Sequence, residues 1–234
     1  MKSISEQSFG KKLENANALS TLISGFTGFV TLNPLVSVAA LNTLTSDIKG
    51  ANSNVAGNLQ SYTMTIDQKQ KVFNVGPTSI KKITTPVIAN VRSLYGKTSQ
   101  EAESVNNFVV KIRGEKVAKP TANANAETIS KSQRSYGSVL QNFSDMITTL
   151  DSFETPYQSA KTDYTIASLI LKKDEATLIN TKSVQEFGKL KLARDTRNTQ
   201  YEQLSDLSQR LKDAVKAQYG NSSPEFKLVK GLKI

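Results

Sequence analysis

Apolar residues recur at gaps of three and four along most of this chain. Tyr136, Leu140, Phe143, Ile147, Leu150 and Phe153 form one such series, the stripe of an amphipathic helix. Phe9, Leu13, Ala16, Leu19, Ile23, Phe26 and Val30 form another, with Ser20, Ser24, Thr27, Gly28 and Thr31 on its opposite face. A longer stripe runs through Leu41, Leu44, Ile48, Ala51, Val55, Leu59, Tyr62 and Ile66. It predicts one helix reaching Phe73, although the weak helix formers of 49–58 could break it. Further helices are predicted through Ile80, Ile83, Val87, Val91 and Leu94, through Val105, Phe108 and Ile112, and through Tyr201, Leu204, Leu207, Leu211 and Val215. β-Branched residues are abundant but do not alternate with polar ones, so the fold class is all-α.

Punctuation between the stripes predicts the helix ends. Asn33-Pro34 and Thr155-Pro156 read as helix starts, an Asn or Thr cap followed by Pro in the first turn. The sequence VGPTS at 75–79 reads as a stop, and Pro86 as a kink. Gly96 and Gly220 read as helix C-terminal glycines. Thr98-x-x-Glu101 and Ser222-x-x-Glu225 have the spacing of capping boxes.

The chain also matches itself. Aligning 5–26 with 132–153 without a gap pairs Ser5/Ser132, Ser8/Ser135, Gly10/Gly137, Leu13/Leu140, Asn15/Asn142, Thr21/Thr148 and Phe26/Phe153. The segments RSLYGKTSQEAESV (92–105) and KAQYGNSSPEFKLV (216–229) share Tyr-Gly-x-x-Ser-x-Glu. Phe9 lies 86 residues before Tyr95, and Tyr136 lies 83 before Tyr219. Two matches in order at nearly equal separation predict a duplication. The expected architecture is an elongated helical bundle of two tandem copies, each up-down-up, at 1–114 and 128–234. The Ala- and Asn-rich 115–127 would be their linker, and the two copies would share one core.

The stretch LISGFTGFVTLNPLVSVAAL (22–41) stands apart. No charged residue occurs in the 32 positions from Asn15 to Ser46, although 21% of the chain is charged. A Pro and several Ser, Thr and Asn residues argue against one membrane span, which needs about 20 mostly apolar residues. Three covers are open: the rest of the chain, another chain, or lipid. Ser20, Ser24 and Gly28, at four-residue spacing, would form a ridge of small side chains that another helix could approach closely. With Phe29, Leu32 and Leu35 they make up the candidate interface. The lipid alternative is an inserting hairpin, similar in this one feature to those that α-helical pore-forming toxins hide before insertion.

Composition narrows the chemistry. Cys, His and Trp are absent, which removes disulfides, thiolate or imidazole metal sites, and Cys- or His-based catalysis. No phosphate-binding Gly loop is present. Ser79-x-x-Lys82 matches a nucleophile spacing without supporting context, and Asp174-Glu175 and Glu101/Glu103 read as solvated or capping carboxylates. No catalytic, cofactor or metal residue is expected. The net charge of +10 suits an acidic partner, but basic residues cluster no more densely than pairs, and Lys182, Lys189, Lys191, Arg194 and Arg197 are interleaved with acids. Nucleic acid is therefore the least supported partner. The N-terminus lacks the apolar core of a signal peptide, so the expectation is cytoplasmic, or released without a cleavable signal. The functional expectation is a non-enzymatic helical structural or assembly protein, acting as a homo-oligomer or on a protein partner, with membrane insertion of the 22–41 hairpin or a basic nucleic-acid-associated role as the alternatives.

Overall fold

A computed structural model describes residues 8–114 and 135–234. The expected linker at 115–127, and the Ser5/Ser132 match, lie outside the described residues. Among the described residues all regular structure is helical: α1 (Phe9–Ser24), α2 (Val38–Gln70), α3 (Ile80–Tyr95), α4 (Gln100–Arg113), α5 (Tyr136–Asp151), α6 (Ile166–Tyr219) and α7 (Pro224–Lys230). Among them, too, no helix is long and apolar enough to cross a membrane.

Hydroxyl caps start these helices. The Ser8 and Ser135 side chains accept from the Lys11 and Ser138 amides at the heads of α1 and α5. The heads of α2 and α6 correct the sequence reading. Ser37 Oγ accepts from the Ala40 amide at 3.1 Å, and Thr165 Oγ1 accepts from the Ser168 amide at 3.3 Å. Asn33 Oδ1 instead accepts from the Leu35 amide at 2.9 Å, a local turn around Pro34 that competes with helix. α4 and α7 are capped by Ser99 and Ser223, each 3.1 Å from the amide three residues on. Those caps lie one residue later than the predicted Thr98 and Ser222, so Glu101 and Glu225 fall at the second helical position. There they face the positive helix end without closing a capping box.

α2 runs unbroken through 49–58, because Ile48 and Val55 are buried and tertiary burial outweighs weak propensity. It ends in a π-helical turn, Lys71–Val75. A Cβ on Gly76 would lie 2.5 Å from the Lys71 carbonyl oxygen, so the chain can close there only on glycine. α3 continues through Pro86. α6 is the larger correction. Where an up-down-up second copy predicts a turn between two helices, one helix spans 54 residues. Its only breaker is the isolated Gly188, which costs about 1 kcal/mol against Ala, too little to end a packed helix.

The described chain forms two compact units. One comprises residues 8–60 with Gly188–Ile234, the other Ser61–Phe187. Both boundaries therefore fall inside α2 and α6, and each unit takes helices from both halves of the sequence. The first has a core of Leu19, Ile23, Leu41 and Ile48 against Leu204, Leu211, Val215 and Val229. In the second, residues of α3 and α4 such as Val87, Val91 and Val105 meet Phe143, Met146 and Leu150 of α5 and Leu169 of α6.

Aromatic contacts hold both ends of α1 and of α5. In the first unit the Phe9 ring lies 4.4 Å from Tyr201, with the Arg197 guanidinium over it at 4.3 Å. At the far end Phe26 meets Tyr219 edge-on at 5.8 Å, and the Tyr219 hydroxyl donates to the Thr27 carbonyl at 3.0 Å. In the second unit Tyr136 meets Phe73 edge-on at 4.9 Å, with Lys69 Nζ 4.2 Å over its ring. Phe153 then meets Tyr95 edge-on at 5.2 Å, and the Tyr95 hydroxyl donates to the Thr155 carbonyl at 2.8 Å. In both units the cation precedes its aromatic neighbour by four residues, one helical turn.

Candidate interaction surface

The uncharged stretch resolves into the end of α1, a loop at 25–37 and the start of α2. α1 stops at Ser24 because the Gly25 amide turns back onto the Leu22 and Ile23 carbonyls, and Gly28 then takes φ 77°. The predicted stripe therefore does not continue to Val30. The Ser20–Ser24–Gly28 ridge is not a helical ridge either, since its third member lies outside the helix. Ser20 is buried and donates to Asn42 Oδ1 at 2.6 Å. Ser24 is exposed and donates to the Ser20 carbonyl at 2.8 Å. Gly28 is also exposed. The expectation that this ridge is covered thus holds within the chain for Ser20 alone.

The apolar members of the candidate interface are arranged differently. Phe29 is half-buried and stacks on Tyr219 at 6.4 Å. Leu32 is 100% exposed, Leu35 77% and Val30 66%. Their loop is tied down by α6. Gln218 donates through Nε2 to the Gly28 carbonyl and accepts through Oε1 from the Val30 amide at 3.1 Å. Beside the leucines lies an open groove of about 520 Å³, with Val30, Leu32 and Val36 on one side and Ala214, Ala217 and Arg210 on α6. Arg210 pairs with Asp206 at 3.6 Å. Sequence reasoning missed Val30 and the α6 residues; nothing in the local pattern ties Gln218 to a loop 190 residues earlier.

The second unit carries a loop between α5 and α6, 152–165, and it is built otherwise. It contains Glu154, Lys161 and Asp163, the last two paired at 3.1 Å. Its Tyr157 is buried, with the hydroxyl donating to the Tyr164 carbonyl. Burial and the nearby Tyr95 push that phenol up, against a lowering hydrogen bond with Asn90.

The other sequence candidates are occupied structurally. Ser79 is buried with its hydroxyl unpartnered, and Lys82 Nζ donates instead to the Val75 carbonyl at 2.9 Å. Asp174 and Glu175 pair with Lys173 and Lys172 at 3.6 and 2.6 Å. Among the described residues no three His, Cys, Asp or Glu side chains gather to hold a metal ion. Lys182, Lys189, Lys191 and Arg194 are exposed, while Arg197 leaves the predicted basic face for the Phe9 ring. Lys69 is buried, donates to Ser183 Oγ at 3.1 Å, and is pushed down by that burial. Comparisons with protein-family models, with curated proteins and with solved structures find no match.

Proposed function

We propose that this protein is a non-enzymatic helical structural or assembly protein that works by association through the 28–36 loop. The observation that carries the reading is the full exposure of Leu32, with Leu35 and Val30, on a loop held in place by Gln218. The scaffold does not require this exposure, because the 152–165 loop is charged and buries its Tyr157. Contiguous exposed apolar side chains mark interaction sites. A second copy is the preferred partner, since projecting leucines next to a groove make a self-complementary patch. The lack of charge from Asn15 to Ser46 removes local repulsion in a chain of net charge +10.

For the architecture, the reading is a tandem duplication of 1–114 and 128–234. Its support is the recurrence of matching contacts: Phe26–Tyr219 beside Phe153–Tyr95, and Arg197 over Phe9 beside Lys69 over Tyr136. The Tyr-Gly-x-x-Ser-x-Glu segments also fold alike, with Gly96 at φ 100° and Gly220 at φ 94° before their serine caps.

Sedimentation of the wild type and Leu32→Asp across protein concentration tests the functional reading. The wild type should form particles larger than the 25.5 kDa chain, and the variant should remain a folded monomer. A wild type that stays monomeric at all concentrations, with no protein partner lost on substitution, would remove the reading. The same exposed aliphatics favour lipid as the second reading, so binding to vesicles abolished by Leu32→Asp would replace it.

A further inference from the structure

We infer that the two halves of the chain are mutual binding partners, so that the second half of one copy can dock on the first half of another. The inference is independent of the 28–36 loop. In the first unit Leu19, Ile23 and Leu41 from the first half close over Leu204, Leu211 and Val215 from the second. The second unit reverses the contribution: α3 and α4 of the first half cover α5 and the start of α6. Neither half retains a complete core without the other, and each half carries two separate docking faces.

Polar contacts give these faces register. In the first unit Tyr201 donates to the Phe9 carbonyl and accepts from Asn52, and Asn15 donates to the Lys233 carbonyl at 2.7 Å. In the second, Asn90 donates to the Gln158 carbonyl at 2.6 Å and Tyr95 to that of Thr155. All of these run between halves. Nothing in either set requires covalent connection through 115–134, so a second copy's half satisfies the same donors and acceptors. Exchange of identical elements between copies is a low-cost route to association.

The test uses the full chain with a protease recognition sequence inserted at 122–123 and cut after folding. One preparation is isotopically heavy and one light. Both are cut, mixed, unfolded in urea and refolded together, and native mass spectrometry reads the particles. The expected result is paired fragments only, with heavy–light pairs as abundant as like pairs. The midpoint of urea unfolding of the cut protein should also rise with concentration, as mass action demands. Cut fragments that separate before unfolding, or that refold singly with full helix content, would overturn the inference. So would fragments that re-form no pair on removal of urea.

Discussion

Replacing Tyr201 by phenylalanine isolates the polar part of one clasp between the halves. Tyr201 is 3% exposed; its hydroxyl donates to the Phe9 carbonyl at 3.1 Å and accepts from Asn52 Nδ2 at 3.0 Å. Tyr201→Phe keeps the ring against Phe9 and removes both bonds. Each is worth about 0.5–1.5 kcal/mol net. The partners left behind limit the penalty. The Phe9 carbonyl retains the amide one turn along α1, and Asn52 is half-buried, within reach of water. The loss should therefore be about 1–2 kcal/mol. Phe73, which meets Tyr136 at 4.9 Å in the second unit, shows that a phenylalanine ring suits such a clasp. Urea unfolding followed by helix ellipticity should show a lower midpoint with unchanged slope. In a thermal scan the shift should be about 2–4 °C per kcal/mol for a chain of this size. Unchanged stability would mean the hydroxyl bonds contribute nothing. A loss as large as the roughly 3–5 kcal/mol of an aromatic-to-alanine change would mean the ring does not keep its place.

Other substitutions test the loop and the buried amines. Gly28→Ala should cost about 1–2 kcal/mol in thermal melting, from forcing an L-residue to positive φ; a Cβ there meets nothing within 4 Å, so overpacking is not the cause. Gln218→Leu should speed hydrogen exchange at the Val30 amide while leaving α6 amides protected, because that amide loses its acceptor. Burial pushes Lys69 and Lys212 below the usual 10.5. At these two amines the folded protein then binds fewer protons than the unfolded as pH approaches 10.5, so their contribution to stability should rise with pH in that window. Urea midpoints of Lys69→Met should show a smaller rise. Burial raises the Tyr95 and Tyr157 phenols above 10.0, and their opposing contribution should fall once unfolded chains ionise there, so the Lys69→Met comparison isolates the amine.

Spacing of three and four located much of the core: Leu19, Ile23, Phe143, Ile147 and Leu211 are buried, whereas Phe9, Leu59 and Leu94 on the same stripes are exposed. Periodicity reports which face is buried and not what covers it, so a shared core is expected, but which faces of the two halves meet is not legible. It also continues on paper past a real stop, which is how Val30 was assigned to α1 although Gly25 ends that helix. Cap positions moved because the sequence offers several Ser, Thr and Asn residues near each helix start: Ser99 caps α4 where the spacing predicts Thr98, Ser37 caps α2 while Asn33 holds a turn at the Leu35 amide, and α6 is capped ten residues past Thr155, at Thr165. The uncharged run falls in the end of α1, the 25–37 loop and the start of α2. Its exposed large aliphatics, Val30, Leu32 and Leu35, all lie in the loop, and the hydroxyl of Ser20 is satisfied by Asn42.

The absence of cysteine permits the most direct test of association through this loop. A nitroxide attached at Leu32→Cys is compared with one at Asp163→Cys, an exposed position on the 152–165 loop. As concentration rises and particles grow, the label at 32 should lose mobility and oxygen accessibility, while the label at 163 keeps both. Equal behaviour of the two labels, or immobilisation at 163 alone, would contradict the assignment of the 28–36 loop as the contact surface.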